Sequence, residues 1–322
     1  MRPVTHWLRL LAPLAATVCM TAGLVACGSA DDSGSSAAGG GKGIELKVGQ
    51  FSWTAAQVET QVLAEIARAH PDLGVSSVKA VPVDPAPGWV GIQRGDIDVL
   101  PEVNLPNQQT FADKAKADVD LTSETYGGAT QGWFVPRYAV EGADAPAKGL
   151  TSVDQLNHFK GVFDRTLYDA DPGWVTTQQN TKRLKGFALD FKHSTSSEAA
   201  LIAQLKRAYA KKQPILLYFY HPSWIFSQFQ LVQLKEPKPY SASCFTGSDD
   251  ACAIPTLAAW IAARKDLAER APKFAAALKN VKIPLADLEK ILDQVDQKGV
   301  DAETAAKQWV EEHKSEVDQW VS

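Results

Sequence analysis

The stretch Ile44-Glu-Leu-Lys-Val-Gly-Gln-Phe-Ser52, with Val58, Val62, Ile66 and Ala69 after it and His70-Pro71 at its end, carries the first reading of the fold. Ile44, Leu46 and Val48 alternate with polar residues, as a strand with one buried face requires, and Gly49 to Ser52 closes it. The apolar residues that follow recur at helical spacing until the proline stops them, so a strand and a helix stand in succession. Gly95-Asp-Ile-Asp-Val-Leu-Pro101 and Gly132-Trp-Phe-Val-Pro136 read as short strands. Thr195-Ser-Ser-Glu198 matches the box that satisfies free amides at a helix start, and Leu201, Leu205 and Ala208 continue one apolar stripe. Ile215-Leu-Leu-Tyr-Phe-Tyr220 is a continuous strand-like run. From about Pro255 to the C-terminus the pattern is helical, through Leu285, Leu288, Ile291 and Leu292 and then Trp309, Val310 and Trp320. Strands alternating with helices predict an α/β architecture with a largely parallel sheet.

A chain of 322 residues, 45% hydrophobic, has room for two ordinary domains with sizeable cores. Lys and Arg number 33 against 37 Asp and Glu, a formal charge of -4, so no basic excess exists to neutralise a phosphate backbone and no nucleic-acid partner is expected. Only the N-terminus has an apolar run near membrane-spanning length, which excludes a multi-span channel. Arg2 and Arg9, the stretch Leu10 to Val18 and the ending Leu24-Val-Ala-Cys27 make residues 1–26 a secretion signal. That ending resembles the bacterial lipobox, whose cysteine is acylated after cleavage. Cys27 is therefore the expected lipidation site and mature N-terminus, and the mature charge is -6. Gly28 to Gly43 is Gly, Ser, Ala, Asp and one Lys, so residues 27–43 read as a flexible tether spanning about 20 to 24 Å. Gly39-Gly-Gly-Lys-Gly43 lacks the spacing of a phosphate loop.

Of four cysteines, Cys19 leaves with the signal and Cys27 takes the lipid, so Cys244 and Cys252 are the expected disulfide of an exported chain. They lack the close Cys-x-x-Cys pairs of a zinc site, and neither metal nor cofactor is expected. No Gly-x-Ser-x-Gly, His-Glu-x-x-His or Gly-x-Gly-x-x-Gly occurs. His70, His158, His193, His221 and His313 are scattered singly, and the acid pairs Asp96/Asp98 and Asp169/Asp171 read as solvated turns. A triad assembled in space leaves no spacing, so a secreted hydrolase stays as the distant alternative.

Nine tryptophans are present, eight of them beyond the signal, and several sit beside glycine or proline at element ends. Trp53 follows the first strand, Trp133 lies in Gly132-Trp-Phe, Trp174 in Asp171-Pro-Gly-Trp, and Tyr218 and Tyr220 precede His221-Pro-Ser-Trp224. A quaternary ammonium has no N–H to donate, so converging rings are what can hold it, at roughly 0.5 to 2 kcal/mol per face. Core packing remains an equal use for any one of these rings.

Asp171-Pro-Gly-Trp174, the run Pro214 to Trp224 with its Tyr220-His-Pro-Ser-Trp, and the tail Trp309-Val310 to Ser315-Glu-Val-Asp-Gln-Trp320 together resemble the glycine betaine/proline betaine-binding proteins of bacterial ABC importers. The resemblance runs from about Ile44 to the end. It implies a two-lobed periplasmic-binding-protein fold (type II), each lobe a central sheet flanked by helices, on a double-crossed hinge. Lobe I is then 44–136 plus 245–322, and lobe II is 137–244. It also implies an aromatic box in which Trp174 is one wall, Trp53 another, Tyr220 stands where relatives have Trp, and Trp133 where choline-binding relatives have a pocket Tyr. The carboxylate of a betaine would be met by backbone amides of Val175 and Thr176, at a helix start suited to anions, with the Thr177 hydroxyl beside them.

One departure stands out: where relatives carry Trp before x-Pro, this chain reads Glu102-Val-Asn104-Leu-Pro106. Asn104 could reach a hydroxyl, amide or carboxylate, so choline, carnitine or a bulkier zwitterion joins glycine betaine as an expected ligand. The cysteine pair that brackets Pro-Gly-Trp in some relatives is absent, Ala170 and Thr176 lying near those positions. The resemblance implies a monomeric, lipid-anchored, non-enzymatic receptor on the extracytoplasmic face of the membrane, working with a permease and its ATPase. The closer alternative is the same scaffold holding an amino acid or other primary amine, with Glu102, Asp84 or Glu124 as acceptor.

Overall fold

A computed structural model describes residues 43–247 and 250–322. The signal at 1–26, Cys27 and the tether up to residue 42 lie outside the described residues.

Ten strands form two five-stranded sheets. In chain order they are β1 Ile44–Gln50, β2 Val75–Pro82, β3 Val99–Leu105, β4 Val119–Ala129, β5 Gln131–Pro136, β6 Thr166–Asp169, β7 Lys192–Thr195, β8 Leu216–Tyr220, β9 Leu231–Gln233 and β10 Leu257–Arg264. The first sheet runs β2-β1-β3-β10-β4 and the second β7-β6-β8-β5-β9. The opening unit forms as its periodicity requires: Leu46 and Val48 are fully buried, and the helix Thr54–Ala69 turns Val58, Val62 and Ile66 inward over that sheet.

Three expectations change. The sheets are mixed rather than largely parallel: β1 is parallel to β2 and β3, and β6 to β7 and β8, whereas β10 is antiparallel to β3 and β4, and β5 to β8 and β9. The stretch after Pro255 is not helical at its start. Leu257-Ala-Ala-Trp-Ile-Ala-Ala-Arg264 is a strand, because insertion between β3 and β4 buries Ala259, Ile261 and Ala262 and overrides alanine's helical preference. The division at residue 136 also moves. Residues 131–136 pair with β8 and β9 in the second sheet, so the chain crosses between halves at Thr130 and returns between β9 and β10. A short apolar run carries no mark of which sheet will accept it.

The helix start near Thr195 shifts by two residues. Ser197 is the N-cap, accepting from the Ala200 amide at 3.3 Å, and Glu198 is the first residue of the helix Glu198–Ala210. The Glu198 side chain is thereby free for another task. The sulfurs of Cys244 and Cys252 lie 2.12 Å apart, a disulfide that closes a loop against the helix Val175–Gly186. Among the described residues no helix is long and apolar enough to cross a membrane.

Candidate functional site

A cavity lies between the two sheets. The first half lines it with Trp53, Pro85, Glu102, Asn104, Asn107, Gln108, Tyr126, Ala129 and Leu257, the second with Trp174, Val175, Thr176, Tyr218, Tyr220, His221 and Pro222. Of the expected residues, Trp53, Asn104, Trp174, Val175, Thr176 and Tyr220 all meet there.

Trp53 leaves the end of β1 at the N-cap of the helix Thr54–Ala69, stacked on Phe51 with centroids 4.7 Å apart. Its Nε1 donates to Glu102 Oε2 at 2.7 Å. Trp174 comes from the other half, where Asp171-Pro-Gly forms a turn: Gly173 N donates to Asp171 Oδ1 at 2.9 Å and Trp174 N to Asp171 O at 3.0 Å. Glycine is needed there because an added Cβ would come within 2.4 Å of the Asp84 carboxylate of the first half. The Trp174 ring meets Trp53 edge to face at 5.2 Å and Tyr220 at 5.9 Å, and its Nε1 donates to Ser52 Oγ at 2.8 Å. The rings Trp53, Trp174 and Tyr220 thus form a chain across both halves.

Directly after the Trp174 ring, the same residue caps the helix Val175–Gly186, whose first residues Val175 and Thr176 line the cavity. Free amides at a helix N-terminus favour an anion. The wall beside them is locked by hydrogen bonds. Thr176 Oγ1 accepts from Asn107 Nδ2 at 2.7 Å and donates to Gln131 Oε1 at 3.1 Å; Gln131 also accepts from Tyr218 and donates to Pro255 O. Thr177 is buried outside the lining, and its hydroxyl meets no partner.

Trp133 is the correction among the expected site residues. It is fully buried beneath the helix Val175–Gly186, donating from Nε1 to Asn180 Oδ1 at 2.8 Å, with the Arg183 guanidinium 4.2 Å from its ring centre. Its contacts are to that helix, and it lies outside the cavity lining. The reason is depth: Gln131 and Trp133 share one face of β5, Gln131 bonds the lining residues Thr176 and Tyr218 from behind, and Trp133 lies one layer further on, under the helix. Of the rival acceptors, Glu102 lines the cavity while Asp84 and Glu124 do not.

Tyr126, Asn107 and His221 carry no ligand-facing signal in the sequence, and Tyr218, one of the element-end rings, joins the lining with them. Tyr126 donates its hydroxyl to Glu102, and His221 lies against Phe226 with ring centres 3.6 Å apart. The lone acid in the buried strand Val99-Leu-Pro-Glu-Val-Asn-Leu105 was the available signal for this wall. Burial pushes the Glu102 carboxyl up to about 7, against the pull of its Tyr126, Trp53 and Asn104 donors. Burial also raises Glu59, with the nearby Glu102 charge adding to it, and lifts Glu198 to about 7. No lysine or arginine lines the cavity, and among the described residues no group of three His, Cys, Asp or Glu is placed to hold a metal.

Two α/β halves joined by two crossovers around a small ring-lined cavity define a solute-binding protein. The chain belongs to the family described as the substrate binding domain of ABC-type glycine betaine transport systems, which matches residues 44–312. It is 30% identical over 159 residues to the glycine betaine/carnitine transport binding protein of Listeria monocytogenes, so that match spans 48% of each chain, about half of the relative's length. A match 25% identical over 337 aligned positions takes in 97% of this chain and 96% of the glycine betaine-binding periplasmic protein of Dickeya dadantii. The lactococcal binding protein in closed-liganded form with glycine betaine superposes with a TM-score of 0.72 at 23% identity, over 86% of this chain and 99% of that one. A choline binding protein in complex with choline gives 0.72 at 19% identity, over 86% and 91%. These likenesses show the type II periplasmic-binding-protein fold.

Proposed function

We propose that this chain captures a quaternary ammonium compound of the glycine betaine, choline, carnitine and proline betaine class between its two halves and passes it to a membrane permease driven by an ATPase. The supporting observation is the ring chain of Trp53, Trp174 and Tyr220, in a cavity lined by one carboxylate, Glu102, and by the first residues of the helix that Trp174 caps. Three faces contribute about 1.5 to 6 kcal/mol toward the roughly 8 kcal/mol of a micromolar complex. The helix amides that follow Trp174 and the Asn107 side chain are the donors for a carboxylate or hydroxyl of the ligand. No chemistry is done on the ligand.

A primary ammonium fits less well. Its three N–H groups need acceptors, and the lining offers one carboxylate, Glu102, each of whose oxygens already accepts one bond, from Trp53 and from Tyr126. A thermal-shift panel of glycine betaine, choline, carnitine, proline betaine and common amino acids tests the reading. Quaternary ligands should raise the melting temperature and amino acids should not; the reverse order would overturn it. We place the monomeric receptor on the extracytoplasmic face, held by lipid on Cys27. Release of a Cys27→Ala variant into the medium is the expected outcome.

A further inference from the structure

The rings of this cavity are wired to acids. Trp53 Nε1 and the Tyr126 hydroxyl both donate to Glu102, which is 2% exposed. The Tyr220 hydroxyl donates to Glu198, which also accepts from the Thr54 amide of the other half at 3.3 Å. Behind Glu102, buried Glu59 accepts from Thr125 at 3.4 Å. On the far side of Glu198 a neighbouring cavity holds Asp171, Asp296 and Lys206, whose ammonium lies 4.9 Å over the Trp224 ring. Among the described residues no lysine or arginine forms an ion pair with Glu59, Glu102 or Glu198; Lys206 shares a cavity with Glu198 but lies over the Trp224 ring.

Compare the other buried charges. Arg183 is met by Glu236 and Asp98 by Arg270, so this fold neutralises buried charge where it can. At the rings it does not. Donation of an indole or phenol proton to a carboxylate also makes the ring face richer in electrons, which strengthens its hold on a cation.

We infer that Glu102 is the counter-anion for the bound ligand's cationic end, and that it sets a preference for net cations such as choline over zwitterions such as glycine betaine. The inference rests on the quaternary-ammonium reading of the site. Both ligands bring a methylated nitrogen to the rings, but the carboxylate of a zwitterion feels the same negative field and loses part of what the nitrogen gains. Choline carries no such cost. Because a cation pairs with ionised Glu102, and burial holds this group in the ligand-free protein near 7, pairing below that pH first requires loss of a proton. Affinity for a net cation therefore rises with pH through about 7 and then levels, while a zwitterion responds less.

The test is calorimetry of choline and glycine betaine on the wild-type chain, Glu102→Gln and Glu102→Asp. In Glu102→Gln the choline-to-betaine affinity ratio should fall by about tenfold or more, while Glu102→Asp should stay within about threefold of wild type. The ratio is insensitive to damage that weakens both ligands alike. A Glu102→Gln ratio within about twofold of wild type would overturn the inference. Should that variant not fold, the wild-type ratio measured from about pH 5.5 to about pH 8 takes its place; it should rise with pH, and a flat ratio overturns the inference. Wild-type protein that binds neither ligand would instead bring down the reading of the site, and this inference with it.

Discussion

Removing the Trp174 ring separates the functional account from a purely structural one. This ring is the middle member of the chain linking Trp53 and Tyr220, is 6% exposed, and carries the Nε1 bond to Ser52 across the two halves. Trp174→Ala removes one ring face from the ligand, worth about 0.5 to 2 kcal/mol, and one inter-half hydrogen bond, worth about 0.5 to 1.5 kcal/mol. Lost edge-to-face contacts add about 0.5 to 1.5 kcal/mol to the cost of bringing the halves together. The three terms sum to about 1.5 to 5 kcal/mol, so binding should weaken at least roughly tenfold. Trp174→Phe keeps a ring but not the Ser52 bond, and should fall between, at about three- to tenfold. Calorimetry with choline and with glycine betaine measures both variants, and a thermal melt establishes that each is folded. The backbone capping geometry at residue 174 does not need the indole, so the helix Val175–Gly186 should persist. Affinity within about threefold of wild type in a folded Trp174→Ala protein would refute the reasoning and place the ring outside the site.

Further outcomes follow from the same geometry. Val175→Pro deletes one amide at the first helical position, where proline is tolerated and the extended Trp174 backbone suits it; affinity for glycine betaine should drop about tenfold and that for choline less than about twofold, by calorimetry. The ligand-free protein should lose stability as pH rises from 4.5 to about 7. Glu102 has its folded value raised from 4.5 to about 7, so over that window the folded state holds the extra proton, a contribution of up to about 3 kcal/mol that Glu102→Gln should remove from the melting profile. Replacing Cys244 and Cys252 by Ser should cost about 2.5 kcal/mol of stability for so short a loop, read by urea unfolding. It should also weaken glycine betaine more than choline. Lys182 donates to Phe245 O and Arg183 to Cys252 O, so the loop steadies the helix that presents the amides.

The alternation of Ile44, Leu46 and Val48 and the helical spacing after it were enough to give the first unit, because local periodicity reports which face is buried. Membership of a sheet is not local. Gln131–Pro136 and Leu257–Arg264 each find their partners far along the chain, so the crossover point and the strand among alanines appear only when the sheets are assembled. The same limit governs the site. Trp53, Trp133 and Trp174 look alike beside glycine or at element ends, yet a helix lies over Trp133 while the other two face the cavity. Asp171-Pro-Gly-Trp174 was legible because its glycine, turn and helix cap lie within four residues. Tyr126 and Glu198 were not, since each acquires its role from a partner on another element.

A crystal structure of the protein with choline or glycine betaine tests the central claim most directly. The methylated nitrogen should sit within about 6 Å of the Trp53, Trp174 and Tyr220 ring centres, with Glu102 as the nearest charged side chain. A nitrogen held by carboxylates away from those rings, or a ligand seated in another cavity, would contradict it.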